Sequence, residues 1–213
     1  MADQKLIAVV DYGMGNLRSV AKAAEQVAPA NTHICISQKR EDIENADAVI
    51  FPGQGAAKAC MQALQSSGID HAVLQAAAEK PFLGICMGLQ VLMTESEENQ
   101  GVHCLDLFKG HVKAFDLAQF PELKIPHMGW NQIHQTQSHP LWRQIPQDSR
   151  FYFVHSYYIE PQDTSIIAGT STHGTSFTSA IAHNNLFALQ AHPEKSSVAG
   201  LQLFKNFLNW NPQ

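Results

Sequence analysis

Apolar and polar positions divide the chain into two textures. In the first, Leu6-Ile7-Ala8-Val9-Val10 is a continuous apolar run, the pattern of a parallel strand buried on both faces. A glycine-containing loop, Asp11-Tyr12-Gly13-Met14-Gly15-Asn16, leads to a helical pattern from Leu17 to Val27, stopped by Pro29. The loop lacks the third glycine of a dinucleotide fingerprint, so nucleotide binding carries little weight. His33–Ile36 and Ala46–Phe51 read as further strands, the latter breaking at Pro52-Gly53-Gln54-Gly55. Two alanine-rich stretches, Ala56–Ser66 and Ile69–Glu79, read as helices. Alternating strands and helices predict an α/β class, a doubly wound and mainly parallel sheet flanked by helices. In such sheets ligands bind beyond the carboxyl ends of the strands, and the 52–55 loop lies there.

After Glu98 the pattern shortens. Leu107–Phe115, Met128–His134, Phe151–Ile159, Ile166–Thr172 and Phe177–Ala182 are strand-like runs separated by Gly, Pro, Asn and Asp. They predict antiparallel hairpins added to the parallel sheet in the second half. Asn184-Asn185 fits a tight turn into Leu186–Gln190, and an amphipathic helix over 197–209 presents Leu201, Phe204, Phe207 and Leu208 on one face. There is no internal repeat and no linker, so residues 1–213 read as a single domain.

The chemistry concentrates at Pro81-Phe82-Leu83-Gly84-Ile85-Cys86-Met87-Gly88-Leu89-Gln90. This is a short apolar strand, a tight turn and the start of a helix, with glycines two positions either side of Cys86. Side chains at 84 and 88 would crowd a sharp strand-to-helix turn. It is the cysteine counterpart of a G-x-S-x-G nucleophile elbow, with the helix start favouring the thiolate. On this segment alone a buried core thiol explains the pattern equally well.

Composition narrows the classes. The 213 residues carry 14 Lys and Arg against 19 Asp and Glu, a net charge of −5, which gives no basis for nucleic-acid binding. The four cysteines are widely spaced with no C-x-x-C pair, which fits a reducing cytoplasm and neither a zinc ribbon nor a disulfide scaffold. The expectation is a cytoplasmic protein without signal peptide or membrane span.

A thiol nucleophile needs a base, and the base needs an orienting group. Of eleven histidines, His33, His71, His103, His111, His134, His139, His173 and His183 lack distinguishing context, and His155 reads as structural or pocket-lining. His192 differs. It follows a buried-looking strand, Pro193 stiffens the turn, and Glu194 is two residues on, within reach of the imidazole. Paired with the Cys86 elbow, these residues favour catalysis over an incidental loop. The oxyanion of an acyl transfer would take the backbone N–H of Met87, with a second from Gln54, whose flanking glycines permit close approach, although in isolation 52–55 reads better as an ordinary turn after a strand.

These motifs resemble those of class I, triad-type glutamine amidotransferases over nearly the whole chain. Gly84-Ile85-Cys86-Met87-Gly88-Leu89-Gln90 is similar to the family's nucleophile motif and His192-Pro193-Glu194 to its His and Glu pair. A finer resemblance is to glutaminase subunits that feed ammonia to a (β/α)8-barrel synthase in L-histidine biosynthesis. It rests on residues 11–17, 52–55, 125–131, 153–157 and 192–196, above all Met128-Gly129-Trp130-Asn131. The resemblance implies a flavodoxin-like fold, with Cys86 as nucleophile, His192 as general base then acid, and Glu194 as orienter. It implies L-glutamine contacts from Gly53, Gln90, Glu98, Ser156 and Tyr157, Glu98 pairing with the α-ammonium. For Glu98 the alternative is a solvated place in the run Glu95-Ser96-Glu97-Glu98. It further implies that Asn16, Met128, Trp130 and Lys195 face the barrel subunit in a heterodimer. No metal or organic cofactor is implied. Many such subunits carry valine where Gln54 stands, so that side chain has no implied role. The rival readings are another glutaminase of this fold, against which the 128–131 segment weighs, or a binding protein on the same scaffold. Such a binding protein would typically have lost part of the Cys86, His192 and Glu194 set.

Overall fold

The computed structural model describes residues 4–116, 118 and 120–212. The first half runs β1 (Lys5–Val10), α1 (Leu17–Val27), β2 (Thr32–Ser37), α2 (Arg40–Asn45), β3 (Ala48–Gly53), α3 (Ala57–Ser67), α4 (Asp70–Glu79), β4 (Phe82–Cys86) and α5 (Met87–Gln90). The second half holds β5 (Glu95–Ser96), β6 (Val102–His103), β7 (Gly110–Ala114), β8 (His127–Gln132), β9 (His134–Gln135), β10 (Arg150–His155) and β11 (Tyr157–Pro161). It closes with β12 (Ile167–His173), β13 (Thr175–His183), β14 (Leu186–Leu189) and α6 (Ser197–Leu208).

The main sheet has the order β2-β1-β3-β4-β14-β13-β11-β7-β5-β6, with β12 on β13 and β9 on β12. Strands β2, β1, β3, β4 and β14 are parallel, and β13 begins the antiparallel half. Continuous apolar runs are right for these central strands: β3, β4 and β14 are buried at every residue because helices cover both faces. One core layer packs α1 and α6 against one face, through residues such as Val20, Phe204 and Phe207. The other packs α3 and α4 against the opposite face, through Leu64 and Val73. The doubly wound α/β prediction holds. No helix among the described residues is long and apolar enough to cross a membrane.

The structure departs from the pattern in several places. Phe151–Ile159 is two strands: the chain leaves β10 at Ser156 and enters the main sheet as β11. Met128–His134 divides likewise at the buried Ile133. As a result β8 and β10 form their own antiparallel pair rather than a hairpin on the main sheet. Pro52 and Gly53 do not break β3 but continue it, in register with Ile85 and Cys86. Residues 40–45 form a helix that one buried apolar side chain, Ile43, left without a readable period. On α6, Leu203 and Gly200 are buried whereas Leu201 is half-exposed, because the helix lies tightly on Pro193. A Cβ at Gly200 would come 1.9 Å from the Pro193 carbonyl oxygen.

The crowding expected around the elbow is real. A Cβ at Gly84 would lie 2.8 Å from both Ala188 Cβ and the Gly88 oxygen, and one at Gly88 would lie 1.8 Å from the Phe51 carbonyl oxygen. The latter obstacle is strand backbone and cannot step aside. Gly88→Ala is therefore expected to destabilise the fold by about 3 kcal/mol or more, measured from the urea midpoint. An unchanged midpoint would show that β3 and α5 separate freely.

Candidate active site

Strands β3, β4 and β14 end together, and three functional segments meet at those ends. Cys86 terminates β4 with φ 56° and ψ −109°, a left-handed conformation costly for any side chain. Parallel pairing of β4 with β3 and β14, and the glycine contacts just described, hold it there. The helix that follows is shorter than the pattern predicts: α5 is one turn, and the chain then turns away. Even so, Met87 and Gly88 N–H groups lie at its start.

His192 follows β14 and is fixed by its backbone. Its N–H donates to the Tyr152 carbonyl on β10 (2.8 Å), and its carbonyl accepts from Ser196 Oγ (2.6 Å). Ser196 Oγ in turn accepts from Tyr152 N–H (2.9 Å), clamping the base loop to β10. Nδ1 of His192 lies 2.9 Å from Glu194 Oε1, and both side chains are almost completely buried. A carboxylate can only accept, so Nδ1 carries the proton and Nε2 is the free position. Nε2 is buried with no partner in hydrogen-bond geometry among the described residues, although Cys86 is its electrostatic neighbour. Such contacts tighten when substrate arrives. Burial opposes charge on His192, but the nearby Cys86 sulfur and the hydrogen-bonded Glu194 carboxylate outweigh it and push the imidazole up to about 10. The site can thus hold an imidazolium, as proton transfer from a thiol requires.

A cavity of about 440 Å³ opens over Cys86, reaching Gln54, Glu98, Ser156, Tyr157, His192 and Lys195. A cavity of about 570 Å³ near Phe108, Asp163 and Asn185 lies at the opposite end of the strands. Its polar groups serve the fold: Asn185 Nδ2 donates to the Ala77 carbonyl, and Asp163 accepts from Ser165 N–H. No thiol or hydroxyl side chain is among the residues that line it.

Of the residues expected to touch glutamine, Ser156 and Tyr157 line the 440 Å³ cavity. Gln90 lines it too, but both amide hydrogens are spent, on the Tyr157 carbonyl (3.0 Å) and Gln190 Oε1 (2.8 Å). Only its Oε1 is left to face a ligand. Glu98 is half-buried, and Oε2 accepts from Ala57 N–H at the start of α3 (2.7 Å), so it is neither a solvated surface charge nor an unoccupied carboxylate. Gly53 is absent from the cavity wall because it remains in β3, against Tyr12 Oη and Met87 Cβ. Gln54 and Gly55 do reach the cavity, and the Gln54 carbonyl accepts from the Cys60 thiol (3.5 Å).

Three of the residues expected to face a partner, Met128, Trp130 and Lys195, gather at β8 and β10. Met128 is 62% exposed and Trp130 47%, and Trp130 packs edge-on to Tyr152. Lys195 is exposed, with Nζ 5.8 Å above the Tyr152 ring. Asn16 stands half-buried at the start of α1 and makes no side-chain cap.

Three further residues, to which the sequence pattern assigns no role, join the site. Gln190, wholly buried, donates from Nε2 to Cys86 Sγ at 3.6 Å. Ser196 clamps the base. His127 joins His155 in a buried pair, Nδ1 to Nε2 at 2.8 Å. A polar residue at the end of a wholly apolar strand was the available signal for Gln190.

A cysteine on a strained elbow, an imidazole–carboxylate pair and a polar pocket above them are the groups that thiol-dependent acyl transfer requires. The chain belongs to the class I glutamine amidotransferases, whose family model matches residues 8–210. It is 73% identical, over the full length of both chains, to the imidazole glycerol phosphate synthase subunit HisH of Hydrogenovibrio crunogenus. It is 55% identical to the subunit of that name from Nitrosococcus oceani, across 96% of this chain and 97% of the relative. Among solved structures, PurLQS from Thermotoga maritima superposes with a TM-score of 0.70 at 17% identity, over 97% of this chain and 98% of the other. A structure described as glutamine amidotransferase gives 0.68, also at 17% identity, over 94% of this chain and 96% of the other.

Proposed function

We propose that this chain, as one amidotransferase domain, is the glutaminase subunit of an imidazole glycerol phosphate synthase in L-histidine biosynthesis. It works in the cytoplasm as a heterodimer with a (β/α)8-barrel synthase subunit. The observation that carries the chemistry is the placement of Cys86, at φ 56°, beside a His192 whose other nitrogen is held by Glu194.

His192 Nε2 takes the thiol proton, and Cys86 Sγ attacks the carboxamide carbon of L-glutamine. The resulting oxyanion accepts from the Met87 and Gln54 N–H groups. Collapse breaks the C–N bond, and His192 gives its proton to the departing nitrogen, releasing ammonia and leaving a γ-glutamyl thioester. Water then adds to the thioester carbon with His192 taking its proton. Glutamate leaves, and the proton returns to sulfur. Ser156, Tyr157 and the Gln90 oxygen recognise the substrate's polar groups. The Glu98 carboxylate serves the α-ammonium while capping α3. Met128, Trp130, Lys195 and Asn16 contact the barrel, which receives the ammonia.

Glutamine hydrolysis without an acceptor is wasteful, so the partner is expected to control it, with the 53–55 peptide as the moving part. Glutaminase rates of the isolated chain, the complex, and the complex loaded with the synthase's nucleotide ligand test both function and control. The expected order is low, intermediate and high. No glutamine hydrolysis in the loaded complex would sink the function; full activity in the isolated chain would sink the control.

A further inference from the structure

Strand β8 has two faces. Met128 and Trp130 point to solvent, while His127 and Asn131 on the other side enter a run of hydrogen bonds that ends at the nucleophile. The sense of every bond in that run is fixed by chemistry. Asn131 Oδ1 accepts from Gln132 N–H (2.8 Å) and Nδ2 donates to the Thr172 carbonyl (2.8 Å), so the amide cannot be turned over. Its second hydrogen faces His127 Nε2 at 3.2 Å, which must accept. His155 Nδ1 faces the Tyr157 carbonyl at 2.8 Å and must donate. His155 is kept neutral by burial, down to about 3, against that carbonyl bond and with His127, His173 and His192 adding to the effect. Its Nε2 therefore accepts from His127 Nδ1–H, and His127, lowered to about 4 by burial and by His173, is neutral as well. The Tyr157 carbonyl takes a second hydrogen from Gln90 Nε2, Gln90 gives its other to Gln190 Oε1, and Gln190 Nε2 is left facing Cys86 Sγ.

We infer that His127, His155 and Asn131 are positioning residues for the thioester chemistry, tying strand β8, which exposes Met128 and Trp130, to the Gln90–Gln190 pair that holds the Cys86 sulfur. Each member has used its hydrogens or lone pairs on the next, and no member has a second orientation that keeps its bonds. The rings sit in an aromatic cage: Phe153 stacks on His127 at 5.0 Å, while Phe115 and Phe177 pack edge-on or tilted against both imidazoles. A shift of β8 cannot be absorbed by loose side chains there. Metal binding is not the purpose of the cluster, since the facing nitrogens are spent on one another. Among the described residues no group of three His, Cys, Asp or Glu is placed to hold an ion. The inference rests on the glutaminase reading above, with β8 as the partner-facing strand.

His127 does not line the 440 Å³ cavity, which makes it the discriminating position. His127→Phe keeps the ring packing and removes both links. In the complex with the barrel subunit, the glutaminase kcat is expected to fall about ten-fold, with KM for glutamine within about two-fold and subunit affinity unchanged. His127→Asn, whose amide N–H can replace Nδ1–H toward His155, is expected to recover most of the loss. Alkylation of Cys86 by iodoacetamide, followed on its own peptide by mass spectrometry, is expected to slow in His127→Phe. Wild-type kcat in that variant overturns the inference, as does a loss that appears wholly in KM or in subunit affinity. Should His127→Phe not fold, Asn131→Leu cuts the first link and is judged by the same criteria. If the wild-type complex hydrolyses no glutamine, the functional reading fails instead, and equal Cys86 alkylation rates in wild type and variant then overturn this inference separately.

Discussion

Replacing Cys86 with alanine is expected to remove at least about 10⁴-fold of the glutamine-dependent ammonia release of the assembled complex, because no thioester can form. The fold is expected to survive. Cys86 is strained at φ 56° whichever L side chain it bears, and β3 and β14 pin it on either side. The same strain predicts a difference between two inactive variants. Cys86→Gly removes the Cβ penalty of the left-handed conformation and is expected to be more stable than Cys86→Ala, by about 1 kcal/mol. Glutaminase assays with ammonia detection read the first effect, and urea midpoints read the second. Near-normal turnover in Cys86→Ala would end the nucleophile assignment. Equal midpoints would show that the elbow conformation costs nothing.

The elbow was legible because its determinants are contiguous: an apolar strand, two glycines at fixed distance and the reacting atom fall within ten residues. His192 and Glu194 were legible for the same reason, being two apart after a buried strand. Residues whose meaning depends on distant partners were hidden. Gln190 meets a sulfur 104 positions away, and Ser196 works through Tyr152, 44 positions back. Glu98 sits in an acidic run that looks solvated until α3 places Ala57 N–H above it. Periodicity failed in a related way on either side of Ser156. Both halves of 151–159 alternate as strands, yet they belong to different sheets, and nothing local marks the crossing. The parallel half was read more accurately because burial on both faces writes itself as uninterrupted apolar sequence. The antiparallel half alternates, and alternation does not say which neighbour a strand will take.

Glu194→Gln should separate two services that the carboxylate performs for His192. The amide oxygen can still accept from Nδ1–H, so the ring keeps its tautomer, but the negative charge beside a buried imidazolium is gone. Losing that charge removes one of the influences that push the imidazole up to about 10 and makes proton transfer from the thiol less favourable. The glutaminase kcat is expected to fall roughly 10²-fold, with a further loss in Glu194→Ala, where orientation goes too. The pair also shapes stability. A histidine whose folded pKa lies above its unfolded value of about 6.5 contributes stability in full below that pH. The contribution declines as pH rises toward the folded value of about 10. The stability advantage of wild type over Glu194→Gln is therefore expected to narrow from pH 6 to pH 9.5, measured by urea unfolding at both ends, because His127 and His155, held neutral by burial, act alike in both proteins. If the variant kept wild-type kcat and the two proteins showed parallel pH profiles, Glu194 would be a buried spectator. Its second oxygen, enclosed with no partner among the described residues, would then be an unexplained cost.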